Sequence, residues 1–392
     1  MLTKTPANHP GTYFFVAIIS MAGLSYINFL PGLVNALAGG MGFGEAGAGR
    51  IVALNGYGGL LGSIAAIFLV RRIHWRYALF AFLVVLTLID IASVRVDDYL
   101  IMLALRFLAG MAGGLSIGIA FSVLARLDNP DRAFGSLLFV QFSIGALVIY
   151  ALPGLEALID AAAVFYVMAG LSLLSLALLL ILPEPTLASA ERNRPMALSG
   201  ASRDAFMLLA ALLLYQIAAS AIWAYVGLIG IGAGIASDHV TASIAITGLL
   251  GLLGAMLPVV SGSRFGRLNW VVAGGALSIA ASVLLDLSQY VTLYVMAMAL
   301  LFFSWPAVQS YLLATTAEMD GSGRLSTVAA VVSLVGLATG PLLASSLLRD
   351  DGFSLLLHAC ALMFLLSSVL LFKPVQARDK VDAGGLQSEC KA

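Results

Sequence analysis

One arginine, Arg106, stands inside the apolar run "YLIMLALRFLAGMAGG" at residues 99–114. A guanidinium at mid-membrane depth costs about 2.5–3.5 kcal/mol on insertion scales, so such a residue needs a partner or a task. Its planar fork of donors suits a carboxylate. The nearest acid in an apolar context is Asp90, in "LTLIDIAS". Two readings fit Arg106. It either pairs with an acid or with carbonyls and holds two helices together, or it faces a water-filled cavity. In the cavity it would attract an anionic substrate group or bias a proton-accepting acid. Asp90 has two readings as well. It is a proton site balanced between apolar surroundings and the arginine, or a headgroup-level residue close to Asp97 and Asp98. Asp286 holds the corresponding place 196 residues on and reads as interfacial.

Other side chains offer hydrogen bonds from within apolar runs: Tyr26 and Asn28 beside a Pro31-Gly32 break, Gln141, Tyr215 and Gln216, Trp223, and Trp305 and Gln309 around Pro306. Amides are costly in lipid and should point inward. Tyr and Trp give an apolar wall with one polar handle. Tyr13, Tyr225 and Tyr311 suit an interfacial belt. One deep cation with amides and aromatics points to a small organic solute as ligand, aromatic or carboxylated. Four scattered histidines and two cysteines provide no metal-ligand spacing. No phosphate-binding glycine loop occurs. No cofactor, metal or nucleotide drive is therefore expected. Net charge is zero, so nothing argues for a nucleic-acid partner. A membrane enzyme would need clustered His, Asp or Glu, which the sequence lacks.

The elements that must position these residues follow from composition. The chain is 61% hydrophobic and 10% charged, against roughly 25% charged in a soluble protein. Its mean hydropathy is +1.03. A membrane helix needs about 20 apolar residues. Twelve runs qualify: 12–38, 48–70, 77–94, 99–124, 134–154 and 161–182, then 205–233, 240–261, 269–287, 290–313, 326–348 and 353–373. Run length favours helices over barrel strands. With both termini in the cytoplasm, 16 of the 20 Lys and Arg fall on the inner side. Arg50, Arg95 and Arg349 fall outside, and Arg106 falls within a span. That bias sets the orientation. Residues 183–204 form a polar, basic cytoplasmic linker between an N-terminal six-helix bundle (1–182) and a C-terminal one (205–373). Residues 374–392 are expected to be a cytoplasmic tail. The halves look duplicated: Arg71 and Arg264, Arg132 and Arg324, and Pro183 and Pro374 are 193, 192 and 191 residues apart.

Several local patterns carry a family resemblance. "SGSRFGR" at 261–267 has a basic residue, a spacer, a glycine and a further basic residue, with Ser263 where an acid would stand. "LVRRIHWR" at 69–76 keeps Arg71 and Arg72 but lacks the acid and the glycine. "RFLAG" sets Gly110 four residues after Arg106, and "GLATGPL" brings a glycine-proline pattern to the eleventh run. Over nearly its whole length the chain resembles the major facilitator superfamily. The resemblance implies an all-α integral membrane protein: twelve transmembrane helices in two pseudo-symmetric six-helix bundles. The first, fourth, seventh and tenth helices would line the cavity, and Arg106 would take part in proton coupling, for which the residues themselves offer Asp90 as the acid. It implies a monomeric secondary transporter of the inner membrane, working by alternating access and gated by Arg71, Arg72, Ser263, Arg264, Gly266 and Arg267. The fifth run, "FSIGALVIYALPG", lacks the compact Gly-Pro-x-x-Gly pattern of drug antiporters. An efflux antiporter is the alternative mechanism, and a non-transporting receptor or scaffold the alternative class. A cysteine introduced at Ser189 should react with an impermeant maleimide only from the cytoplasmic side; labelling from outside would invert the topology.

Overall fold

The computed structural model describes residues 10–69, 73–124, 127, 130–182, 203–261, 266–319, 324–348 and 352–389. Among these, twelve helices are long and apolar enough to cross a membrane, and no strand forms. They are α1 Pro10–Asn28, α2 Gly44–Leu69, α3 Trp75–Ser93, α4 Tyr99–Leu124, α5 Pro130–Leu158, α6 Ala163–Ile181, α7 Arg203–Gly232, α8 (Ser237–Gly248 continuing as Leu250–Ser261), α9 Arg267–Asp286, α10 Val291–Met319, α11 Arg324–Leu347 and α12 Ser354–Glu389. In lipid a helix satisfies every backbone donor and acceptor within itself, which leaves little else possible for such runs.

The first run is interrupted at the Pro31-Gly32 break that the sequence marks. After α1 the chain breaks at Phe29 and forms a short helix, Leu30–Asn35, with Pro31 and Gly32 in its first turn. A π-helical turn follows at Ala36–Gly40. Proline has no N–H to continue the ladder, and the break falls where it demands one. At the other end α12 runs on through Pro374 to Glu389, so the expected tail from residue 374 starts as a helix.

The chain separates into two compact units: residues 1–193 with Ser237–Ala245, and residues 194–236 with 246–392. Within the first, α2 and α3 pack on α4, α5 on α1, and α6 on α1 and α3, with α1 also against α4. Within the second, the helices repeat the neighbours of the helix six earlier: the Leu250–Ser261 part of α8 and α9 on α10, α11 on α7, α12 on α7 and α9, and α7 against α10. Duplication is thus visible in packing as well as in sequence spacing.

Lipid removes the hydrophobic drive between helices, so close van der Waals approach carries the packing. The α2–α4 seam shows how. A Cβ built on Gly58, Gly62, Gly110 or Gly114 would collide with the backbone oxygen of Phe107, Met111, Asn55 or Gly59 respectively. The Ser63 hydroxyl donates across the same seam to Gly114 O at 3.3 Å. In the second unit the same kind of contact recurs between α8 and α10, where a Cβ on Gly254 would collide with Phe303 O, and Gly340 of α11 faces Ala221 N and Ile217 O of α7. There Ser220 donates to Leu337 O at 2.6 Å.

Gly58→Ala or Gly114→Ala should lower the thermal midpoint of the purified protein, by a cost of about 1–3 kcal/mol for overpacking. Gly170→Ala, on α6 where a Cβ meets open space, should leave it unchanged. The measurement is thermal unfolding in detergent.

Candidate functional site

Arg106 and Asp90 come together. The Arg106 guanidinium donates from Nη1 to Asp90 Oδ1 at 2.9 Å, and both side chains are wholly buried. Nη2 donates to Ser93 Oγ at 2.6 Å and to Ile89 O at 3.4 Å. The Phe165 ring of α6 lies under the cation, 4.8 Å from Cζ to the centroid. Leu86, Ile89, Ala109 and Ala112, with Leu105 against them, form an adjoining apolar cluster.

The local reason is spacing. Asp90 and Ser93 are three residues apart and share a face of α3. The short α3–α4 connection, 94–98, turns the chain back so that Arg106 rises on α4 at the same level. Here α3 supplies the acid, a hydroxyl and a carbonyl, α4 the cation, and α6 the aromatic face. The contact is monodentate. Asp90 Oδ2 and Arg106 Nε are buried with no hydrogen-bond partner among the described residues. One carboxylate oxygen is therefore held and the other has no hydrogen bond among the described residues. If Asp90 were neutralised, Arg106 would keep its contacts to Ser93 and Ile89.

The other residues singled out in the sequence fall into two groups, one in each unit. In the first, Asn28 is buried and its Nδ2 lies 2.9 Å from Met21 Sδ on the same helix. Tyr26 and Gln141 are half-buried. In the second, Trp305 Nε1 donates to Gln216 Oε1 at 2.6 Å. Gln216 is buried, and its Nε2 has no partner among the described residues. Trp223 packs edge-to-face on Phe302, centroids 5.1 Å apart. Gln309 is half-buried on α10. The Tyr215 hydroxyl meets Ser278 Oγ at 2.7 Å, which meets Ser304 Oγ at 2.9 Å. A buried hydroxyl chain thus joins α7, α9 and α10, one residue from the Gln216–Trp305 link.

Tyr13, Tyr225 and Tyr311 do not form an interfacial belt. Their relative exposures are 4%, 0% and 2%, and they pack inside the protein. Asp286 is partly exposed, with Oδ2 3.9 Å from His358 Nε2. Of the gating set, Arg71, Arg72, Ser263 and Arg264 lie outside the described residues. Gly266 precedes α9 at φ 75° and ψ 136°, a left-handed conformation that favours glycine. Arg267 is half-buried in the first turn of α9. Sequence reasoning misses Ser93, although its spacing from Asp90 marks it. Phe165 and Ser278 carry no such signal, because only packing brings them to their partners.

The profile of the Major Facilitator Superfamily matches residues 13–334. The chain belongs to this superfamily. It is a multi-pass membrane protein with a transporter fold. Comparison with curated protein sequences returns no match. Among solved structures, a mutant of the nucleoside transporter NupG is similar at 12% identity and a TM-score of 0.74, with 93% of this chain and 98% of that chain covered. A D-xylose-proton symporter is similar at 16% identity and a TM-score of 0.73, over the same shares. At these identities the likeness is one of fold.

The ion pair yields an asymmetric prediction. Asp90→Leu strands a cation that cannot shed its proton and should cost about 3–5 kcal/mol. Arg106→Met leaves an acid that can neutralise itself and should cost less. The double variant should regain most of the loss, since an apolar pair replaces a buried ionic one at little cost. Thermal unfolding of the three variants against the native chain is the measurement.

Proposed function

We propose that this superfamily member is a secondary active transporter that carries a small organic solute by alternating access and couples it to protons. The observation that carries the reading is the buried Asp90–Arg106 pair with its one unpartnered carboxylate oxygen. A charge pair in an apolar bundle is a costly way to hold helices, and intramembrane acids of this kind mark proton relays. That one structure of the same fold is a proton symporter supports the coupling ion. The amides and rings of Asn28, Gln141, Gln216, Trp223, Trp305 and Gln309 support an aromatic or carboxylated solute. In this reading Asp90 takes up the coupled proton at Oδ2. Arg106 stays anchored to Ser93 and Ile89 O, and its freed charge is available to an anionic group. The protein works as a monomer in the inner membrane with both termini cytoplasmic. Residues 183–204 link the bundles, and the arginines around 71–72 and 264–267 act as gates.

The reading is tested in proteoliposomes that enclose a pH-sensitive dye, challenged with a panel of aromatic and carboxylated metabolites. At least one solute should drive proton entry, and an imposed inward proton gradient should drive its accumulation. Asp90→Asn should abolish both and keep solute exchange at equilibrium. Arg106→Lys, which loses the planar fork, should reduce transport at least ten-fold. Accumulation that ignores the gradient and survives Asp90→Asn would falsify the coupling role.

A further inference from the structure

The Asp90–Arg106 pair leaves one bond unmade on each side. Asp90 Oδ2 is a buried acceptor and Arg106 Nε a buried donor, and neither has a hydrogen-bond partner among the described residues. An arginine fork and a carboxylate commonly close two parallel bonds. A buried donor or acceptor is costly to leave unmade. Two such groups inside one ion pair require something that holds them apart.

Ser93 is placed to do this. Its hydroxyl donates to Ile89 O at 2.7 Å, so the Oγ lone pairs are left to accept. Arg106 Nη2 takes one of them at 2.6 Å and reaches Ile89 O at 3.4 Å. One arm of the fork thus goes to Asp90 Oδ1 and the other is turned to Ser93, away from Oδ2. Ser93 is itself fixed. It is wholly buried and is the last residue of α3. Beyond it Val94, Arg95 and Val96 donate to Ile91 O, Ala92 O and Ser93 O at 3.3, 3.3 and 3.4 Å, which closes the helix end in i→i+3 bonds. The C-terminal end of a helix carries partial negative charge, and this adds to the pull on the second arm.

We infer that Ser93 is a positioning residue for proton coupling: its hydroxyl holds the Arg106 fork to a single Asp90 oxygen and keeps Oδ2 out of the ion pair. The inference rests on the coupling role proposed for Asp90 and adds the group that sets how firmly the carboxylate is held. Without the hydroxyl, Nη2 keeps only the long contact to Ile89 O, and the guanidinium turns to close a second bond on Oδ2. A second bond favours the charged carboxylate, so a proton then binds only from more acidic solution. Few other charges stand near. α1 and α6 carry no Asp, Glu, Lys, Arg or His. α2 has Glu45 and Arg50 near its start, and α5 has Asp131 and Arg132 at its start and Glu156 near its end. Arg76 is at the far end of α3. In the α3–α4 connection Arg95, Asp97 and Asp98 are exposed. The nearest tyrosines in sequence are Tyr99 on α4 and Tyr166 beside Phe165.

Infrared spectroscopy reads both parts. The full-length protein, with carbon-13 in its aspartate carboxyls, is placed in lipid vesicles, and the Asp90 bands are taken as the difference from Asp90→Asn. In Ser93→Ala the gap between the antisymmetric and symmetric carboxylate stretches of Asp90 should change, as it does when a second oxygen takes a hydrogen bond. The pH at which the protonated-carboxyl band reaches half height should fall by about one unit, a ten-fold change in proton affinity. Proton-driven accumulation of a transported solute should move to lower pH with it. Ser93→Thr, which restores the hydroxyl, should match the native chain. So should Ser116→Ala, which removes a buried α4 hydroxyl turned to Ala112 O. Ser93→Cys, whose sulfur is a weak acceptor, replaces Ser93→Ala if that variant does not fold. Native stretches or an unmoved midpoint without the hydroxyl overturn the role of Ser93, as does a Ser93→Thr that behaves like Ser93→Ala. An Asp90 that stays charged at every pH in the native chain overturns the proton coupling instead, and the stretch gap then decides by itself whether Ser93 holds the fork.

Discussion

The constraint on which the rest depends is the price of charge in a medium without water. Arg106 cannot lose its proton, so α4 can stay in the membrane only where a counter-charge and acceptors are already in place. Asp90, Ser93 and the Ile89 carbonyl are those acceptors, and all three belong to α3. The requirement fixes the register of α3 against α4 within the first unit. It also brings in α6, whose Phe165 offers its ring face to the cation. Three helices are aligned by one side chain. Because the acid is engaged through only one oxygen, the arrangement can hold its geometry across a change of charge.

The second unit meets the same problem without ions. At the offset of 196 that relates Gly58 against Phe107 O to Gly254 against Phe303 O, it has Asp286, partly exposed, and Phe302 in the places of Asp90 and Arg106, and its buried polar layer is neutral: Tyr215, Ser278 and Ser304, beside Gln216 and Trp305. Neutral hydrogen bonds between membrane helices are worth only about 0.6 kcal/mol on average. That layer therefore specifies alignment more than it supplies stability. Two copies of one helix arrangement have been given different polar interiors, one ionic and one neutral.

Between these polar points the helices are held by proximity. Glycines on α2 and α4 bring backbone against backbone. Many serine and threonine hydroxyls among the described residues turn back to a carbonyl of their own helix, as Ser116 does to Ala112 O and Thr87 to Leu83 O. Those residues stay neutral to the packing and leave specificity to the few that reach across.

The sequence by itself determined the membrane character, the twelve spans, the duplication and the need of Arg106 for a partner. Each follows from composition or from one-dimensional spacing: apolar run length against bilayer thickness, the recurrence of Arg and Pro near 192 residues, and a cation where none is free. It also placed Asp90 at matching depth, since α3 and α4 are neighbours across a short turn. Tertiary structure alone decided what meets what. That Phe165 caps the cation, that Tyr215 reaches Ser278, and that Tyr13, Tyr225 and Tyr311 turn inward depend on the rotation of each helix about its axis. A uniformly apolar helix carries little record of that rotation. In water an amphipathic stripe would mark the inward face. In lipid both faces are apolar, and the inward one is chosen by close contacts between residues far apart in the chain.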